Sequence, residues 1–132
     1  MIYKDFDGSV KEEDLEGLLS HWDFKPLPGT LLRMLQGSAV AIVACEPNSP
    51  RICAYVTALT DHSVCGYISA LEVRPEYRNR GLGTVLINQV TERLNVYGTY
   101  LSCAAAMIPF YEAAGFKQVA GMCKRRLPAS DA

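Results

Sequence analysis

The 132-residue sequence has no long apolar run, almost no net charge and no paired-cysteine motif, and each absence argues against a class of protein. No stretch reaches the roughly 18 apolar residues of a membrane-spanning helix, so we expect no membrane partner. A net charge of −1 does not suggest a nucleic-acid binder. The first residues, MIYKDFDGS, contain no apolar signal core, which favours a cytoplasmic location.

Cysteine and histidine are present, but their spacing favours neither a disulfide framework nor a metal site. The cysteines occupy positions 45, 53, 65, 103 and 123 and form no C-x-x-C pair. This odd number, with several members inside apolar strand patterns, predicts reduced thiols. His21 and His62 lack the spacing of metal ligands, so we expect no metal.

The length predicts one domain over residues 1–132, since domains typically have about 100 to 200 residues. The last residues, 127–132, are predicted to form a flexible tail. Hydrophobic periodicity predicts strands at 2–6, 38–45, 51–59, 65–73, 99–103, 116–119 and 122–126, and helices at 10–20, 30–36, 82–94 and 107–114. This order predicts an α+β fold, layered α/β/α, with a mixed, mostly antiparallel sheet of about six to seven strands.

The stretch between strand 65–73 and helix 82–94 carries the strongest functional signal. It reads Arg-Pro-Glu-Tyr-Arg-Asn-Arg-Gly-Leu-Gly-Thr over residues 74–84. Glycines allow close approach of the backbone to a ligand, and the free amides at a helix N-terminus favour phosphate. Arg74, Arg78 and Arg80 add guanidinium donors. We predict an anion site here, the alternative being solvated arginines in an ordinary turn.

Two blocks of the sequence carry a family resemblance. Arg78-x-x-Gly81-x-Gly83, after a strand ending in Leu71-x-Val73, resembles motif A of the GNAT superfamily of acyl-CoA N-acetyltransferases. Residues 109–116, Pro-Phe-Tyr-Glu-Ala-Ala-Gly-Phe, resemble its motif B. The resemblance implies a GNAT-like fold, acetyl-CoA as cofactor, and direct transfer of the acetyl group to a primary amine of a small molecule or peptide. It leaves a homodimer open.

The resemblance also implies roles for individual residues in binding acetyl-CoA. Backbone groups at Leu71 and Val73 pair with the pantetheine arm, where the strand splays from its neighbour at a bulge. Tyr111 lies near the thioester sulfur and gives a proton to the leaving thiolate, although it could simply pack between Phe110 and Phe116. The pyrophosphate is cradled by Arg78, Asn79, Arg80, Gly81, Leu82, Gly83 and Thr84.

Transfer to an amine also requires removal of a proton, because a lysine-like ammonium has a pKa of about 10.4. Glu72 is the candidate general base. The alternatives are that Glu72 is an ordinary exposed strand residue, or that water relays the proton through Tyr67 or Ser69.

The loop between the first two predicted helices is the candidate acceptor site. In the family that this chain resembles, this loop often borders the acceptor. Aromatic Trp22 and Phe24 with the carboxylate of Asp23 would suit a cationic amine, but the rings could equally fill the core beneath the loop.

Two other functions compete with acetyl transfer. One is a module that binds CoA without turnover. The other is a dinucleotide-binding oxidoreductase, because Gly81-x-Gly83 also follows a strand and opens a helix. The sequence argues against the latter, since Leu86 occupies the third glycine position and the approach from Arg74 is long.

Overall fold

The computed structural model describes residues 1–20, 22 and 26–126, and the chain divides into two units after Leu101. The predicted tail at 127–132 lies outside the described residues, and a single domain over the whole chain stays a prediction. The first unit, residues 1–101, contains strands β1 (Ile2–Asp5), β2 (Val40–Cys45), β3 (Ile52–Thr60), β4 (Cys65–Val73) and β5 (Gly98–Leu101) and helices α1 (Thr30–Gly37) and α2 (Leu82–Leu94). The second contains α3 (Ile108–Ala113).

The five strands form one sheet in the order β1-β2-β3-β4-β5. The first four are antiparallel neighbours, whereas β4 and β5 are parallel. A parallel pair requires a crossover, and α2 provides it between these two strands. The structure therefore has the predicted mixed, mostly antiparallel sheet of an α+β fold.

The sheet lies between two apolar layers. On one face Val43 and Tyr55 pack with residues of α1 and of the stretch 10–20, here called the N-terminal segment, including Leu35 and Leu15. Strand alternation directs Ile42, which precedes Val43 on β2, to the opposite face. There α2 packs against β2, β3 and β4 and buries Leu82, Leu86, Ile87, Val90 and Leu94. Residues 1–101 thus form the predicted helix–sheet–helix layers.

The expectation of six to seven strands is wrong for the part of the chain that the structure describes. Residues 116–119 and 122–126 form no strand. Val119 is 64% exposed and Met122 is fully exposed, so the side chains that suggested strands bury little area. A strand is stable only when neighbouring strands and a packed face support it, and alternation in sequence supplies neither.

The predicted helix at residues 10–20 is also wrong. Only one 3₁₀ turn forms, at Glu12–Leu15. Gly17 and Leu19 have φ values of +88° and +65°, in the left-handed region that interrupts a helix. The Leu19 amide bonds the carboxylate of Glu72 on β4, 53 residues away, so a tertiary contact replaces the helical hydrogen bond.

Strand β4 is irregular in its second half. Thr57 of β3 pairs with Ala70, but Ala58 pairs with Ile68, so Ser69 is an extra residue and forms a bulge. The hydroxyl groups of Thr57 and Ser69 lie 2.7 Å apart and hydrogen-bond each other at this point. The predicted bulge ahead of Val73 is therefore present.

All five cysteines lie among the described residues, and each is a free thiol. In that same part of the chain, no helix combines the length and apolar character of a membrane span. Cytoplasmic location and oligomeric state stay predictions.

Candidate functional site

The N-terminus of α2 is open to a ligand. Gly81 precedes the helix with φ +85°, a left-handed backbone conformation that favours glycine. A Cβ added at Gly81 would meet nothing within 4 Å, so the space beside it is open. The first helical hydrogen bond runs from the Val85 amide to the Gly81 carbonyl at 3.1 Å. The amides of Leu82, Gly83 and Thr84 therefore precede it, and they lie at the positive end of the helix dipole.

The loop leading to this helix end is built by short-range hydrogen bonds. Pro75–Tyr77 forms a 3₁₀ turn in which the Tyr77 amide donates to the Arg74 carbonyl at 2.9 Å. Asn79 has φ +62°, which asparagine tolerates better than most residues. This turn carries the chain from the end of β4 to the exposed amides of α2.

The three arginines of the loop occupy different environments. Arg78 is exposed, and its Nε donates to the Val73 carbonyl at 3.1 Å. Arg80 is also exposed, and its guanidinium lies 5.3 Å from the centre of the Tyr77 ring. Both side chains are positioned where they can contribute charge to a bound anion.

Arg74 does not belong to this exposed group, contrary to the sequence interpretation. Its side chain is only 4% exposed. The guanidinium donates to the backbone carbonyls of Ile52 at 2.6 Å, Glu16 at 2.7 Å and Asp14 at 3.3 Å. Arg74 therefore ties the N-terminal segment to the sheet and is not free to bind a phosphate.

The second half of β4 presents an open edge. Strand β5 pairs with β4 only over Cys65–Ile68. Among the described residues of 1–101, the backbone from Ser69 to Val73 consequently has a partner strand on one side only. Leu71 and Val73, both half-buried, lie on this stretch. An extended chain with amide groups can pair with such an edge by strand addition.

Glu72 lies on β4 opposite Tyr55 of β3, and the two side chains interact. The Glu72 carboxylate accepts hydrogen bonds from the Tyr55 hydroxyl at 3.0 Å and from the Leu19 amide at 3.1 Å. Burial raises the pKa of Tyr55, as do the charge and hydrogen bond of Glu72, so the hydroxyl stays protonated as a donor. The carboxylate is half-buried and already holds two donors.

Near the N-terminal segment, a cavity of about 320 Å³ is lined by residues of 12–19 and 26–32. Its lining includes the apolar residues Leu15 and Leu31 and the acidic residue Glu16. Trp22 is 36% exposed, and its amide donates to the Leu19 carbonyl at 3.4 Å. Asp23 and Phe24, the other two predicted acceptor residues, lie outside the described residues.

In the second unit, Tyr111 lies on α3 between two aromatic rings. Its ring contacts Phe110 and Phe116 edge-on, with centres 5.0 and 5.8 Å apart. Gly115, at φ +96°, ends the helix, and the Phe116 amide donates to the Tyr111 carbonyl at 3.1 Å. Burial, and then the nearby Cys103, raise the pKa of Tyr111. The hydroxyl therefore holds its proton at neutral pH.

Sequence reasoning missed Tyr55 at this site, and it named Arg74 without predicting that its side chain is buried. Tyr55 lies in the apolar run Ile52–Thr60, and a buried tyrosine needs a partner for its hydroxyl, which is a usable signal. Arg74 carries no such signal, because an arginine beside two other loop arginines resembles them in sequence.

The match to known families decides the identity of the fold. The family model described as "Acetyltransferase (GNAT) family" matches residues 2–116. The chain belongs to the GNAT family. The resemblance of its two motif blocks is thereby confirmed.

Solved structures agree with GNAT membership. A Deinococcus radiodurans R1 protein assigned as an acetyltransferase is 32% identical, over 97% of this chain and 94% of that chain, with a TM-score of 0.88. A GNAT protein from Streptococcus pneumoniae TIGR4 is 20% identical over 95% and 97% of the two chains, with a TM-score of 0.77. An aminoglycoside 6'-N-acetyltransferase, solved with coenzyme A, is 20% identical over 76% and 61%, with a TM-score of 0.63. No curated protein matches the sequence.

Proposed function

We propose that this GNAT protein transfers an acetyl group from acetyl-CoA directly to a primary amine of a small molecule or peptide. One observation carries the proposal: the open edge of β4 at Ser69–Val73 leads, through one short loop, to the free amides of α2 at Leu82–Thr84. The first feature suits an amide-containing arm, and the second suits a pyrophosphate. Acetyl-CoA contains both groups in one molecule.

In this proposal the loop residues bind acetyl-CoA through three kinds of contact. Leu71 and Val73 offer backbone groups to the pantetheine arm. Arg78 and Arg80 supply charge near the phosphates, and Asn79 and Gly81 hold the left-handed turns that aim the loop. Leu82, Gly83 and Thr84 supply the amides of the helix end.

The chemistry needs one proton acceptor and one proton donor from the chain. The amine loses a proton as its nitrogen forms the new C–N bond, and the thiolate released from the broken C–S bond gains one. Tyr111 is the proposed donor, since a tyrosine hydroxyl with a pKa of about 10 is protonated at neutral pH, and burial raises the pKa of Tyr111 further. A backbone N–H of β4 is the proposed donor to the carbonyl oxygen as charge develops there.

Glu72 remains the candidate base. Its carboxylate already accepts hydrogen bonds from the Tyr55 hydroxyl and the Leu19 amide, and these contacts occupy oxygen atoms that would have to accept the proton of the amine. Water held near Ser69 or Tyr67 is the alternative route for the proton.

Two measurements in sequence test the function. Calorimetric titration with acetyl-CoA, CoA and NAD should show binding of the first two and none of NAD. Release of free thiol should then be followed with a panel of 1,4-diaminobutane, tyramine, an amino sugar and a peptide with a free N-terminus. Tight CoA binding without turnover on any amine would favour the CoA-binding module. Binding of NAD in place of CoA would overturn both readings.

A further inference from the structure

The end of β4 holds a segment that is distant in sequence. Arg74 contacts the carbonyls of Asp14 and Glu16 across 60 and 58 residues, and Glu72 accepts the Leu19 amide across 53. Glu72 lies on β4, and Arg74 directly follows this strand, where the chain enters the proposed CoA loop. One short stretch of β4 thus adjoins two regions, the cofactor loop and the N-terminal segment.

The N-terminal segment has little regular structure to hold it in place. It contains a single 3₁₀ turn and two left-handed residues, Gly17 and Leu19. Its backbone carbonyls at Asp14 and Glu16 are instead fixed by a buried guanidinium, whose planar donors can reach several acceptors at once. Hydrogen bonds from a charged donor are stronger than those between neutral groups.

This same segment forms one wall of the cavity that is lined by residues of 12–19 and 26–32. Leu15, Glu16 and Gly17 line the cavity, and the carbonyl of Glu16 is the acceptor of the 2.7 Å bond from Arg74. A Cβ added at Gly17 would lie 3.2 Å from Nη1 of Arg74, so this guanidinium packs directly behind the wall. The position of the wall therefore depends on Arg74.

We propose that Arg74 is a positioning residue for the amine acceptor: from the end of β4 it fixes the cavity wall at residues 15–17 through the carbonyls of Asp14 and Glu16. The proposal rests on the proposed function, because the cavity is taken as the acceptor site of the acetyl transfer. Arg74 touches neither substrate in this proposal and acts only through the backbone it holds.

The proposal predicts that one substitution affects the amine and acetyl-CoA differently. Arg74→Met keeps the length of the side chain and removes its donors, so the wall should loosen while the loop at residues 78–84 is untouched. We expect a rise of about tenfold or more in KM for the best amine of the panel, with a smaller change in kcat. The Kd of acetyl-CoA should stay within about twofold. Arg74→Lys, which keeps the charge but not the planar fork, should give an intermediate KM.

Hydrogen exchange gives a readout that needs no substrate. The Leu18 amide donates to the Leu15 carbonyl and the Leu19 amide to Glu72, so both should exchange at least about tenfold faster in Arg74→Met than in the parent. Amides of α2 should keep their parental rates. Arg51→Met is the matched control, since it removes the same charge at an exposed side chain that pairs with Glu76.

Each outcome then has a fixed meaning. Faster exchange confined to the segment, with raised amine KM, supports the proposal. Uniformly faster exchange, or parental values for both the exchange and the KM, overturns it. If Arg74→Met does not fold, Gly17→Ala replaces it, because the new Cβ strains the left-handed backbone against Arg74. If the parent binds no acetyl-CoA, the proposed function fails, and local exchange still decides whether Arg74 holds the segment.

Discussion

Two segments adjoin the end of β4, residues 75–84 and residues 10–20, and they are held in opposite ways. The first is held by short-range bonds, such as Tyr77 to Arg74 and Arg78 to Val73, and by its own helix. The second is held by Arg74 and Glu72, which are more than 50 residues away. The comparison teaches that a local change should disturb the proposed CoA loop alone, whereas a change at Glu72 or Arg74 should disturb residues 10–20 at a distance.

Among changes in the locally held segment, Gly83→Val should cause the largest loss of CoA affinity. A branched side chain beside the free amides should block phosphate and remove two charged hydrogen bonds of about 1.5–2 kcal/mol each, or roughly 300-fold in Kd for CoA. Calorimetric titration measures the loss, and the melting temperature should change little. Gly8→Val is the matched control, since an added Cβ there meets nothing within 4 Å. Parental affinity in Gly83→Val would contradict the proposed phosphate cradle.

Tyr111→Phe tests whether the chemistry needs a donor from the second unit in addition to these two segments. Loss of one hydroxyl should slow the acetyl-transfer step about a hundredfold, as is typical for loss of a positioned proton donor. Acetyl-CoA binding should be retained, so single-turnover measurements are needed. Tyr97→Phe, at a side chain that is 92% exposed, is the control. Equal rates for the two variants would make Tyr111 a packing residue.

Two substitutions distinguish whether Glu72 acts as the general base or only holds the N-terminal segment. A glutamine can still accept from Tyr55 and Leu19, but it cannot take a proton. If Glu72 is the base, Glu72→Gln and Glu72→Ala should both lower kcat by about fiftyfold or more. If Glu72 only holds the segment, Glu72→Gln should approach parental kcat, and only Glu72→Ala should raise the KM for the amine. Glu76→Gln, at an exposed carboxylate, is the control.

A smaller effect is expected from Arg80→Ala, which removes one exposed charge from the loop. CoA affinity should fall about fivefold at low salt and less at high salt, because exposed charges are screened. Affinity for a pantetheine fragment without phosphates should not change. Arg51→Ala controls for the net charge. A loss that is equal for CoA and the fragment would assign Arg80 to the structure of the loop.

The smallest effect concerns stability at alkaline pH through Tyr55. The pKa of Tyr55 is raised in the folded protein, so the folded state keeps a proton that the unfolded chain releases above a pKa of about 10. This contribution to stability is complete below pH 10 and is lost as pH rises, by about 1.4 kcal/mol per pH unit. Urea unfolding between pH 9 and 11 should show a shallower decline in Tyr55→Phe than in the parent. Parallel slopes would contradict it.

The same contrast explains what could be predicted from sequence. Strand Cys65–Val73 and helix Leu82–Leu94 were predicted to the residue, because periodicity and glycines near the helix start act locally. The segment at 10–20 has a helical pattern of leucines, yet it forms only one turn, since bonds from Glu72 and Arg74 determine its path. Periodicity contains no information about such distant partners.

The candidate site divides in the same way. The helix end at Gly81–Thr84 was recognisable from its spacing, whereas the Tyr55–Glu72 pair depends on the register of β3 against β4. The exposed chain at 116–126 shows the reverse error. Its apolar residues match a strand pattern, but Val119 and Met122 remain largely exposed.

The bulge at Ser69 acts as a phase shift in β4. Before it, Gly66 faces Leu94 of α2, and after it, Glu72 faces Tyr55 on the other side of the sheet, although both positions are even-numbered. In a regular strand they would share one face. If Ser69 instead continued the regular alternation without a bulge, Glu72 would lie on the face of α2, away from Tyr55. The bulge thus accommodates one extra residue while Gly66 lies against α2 and Glu72 holds the Leu19 amide on the opposite face.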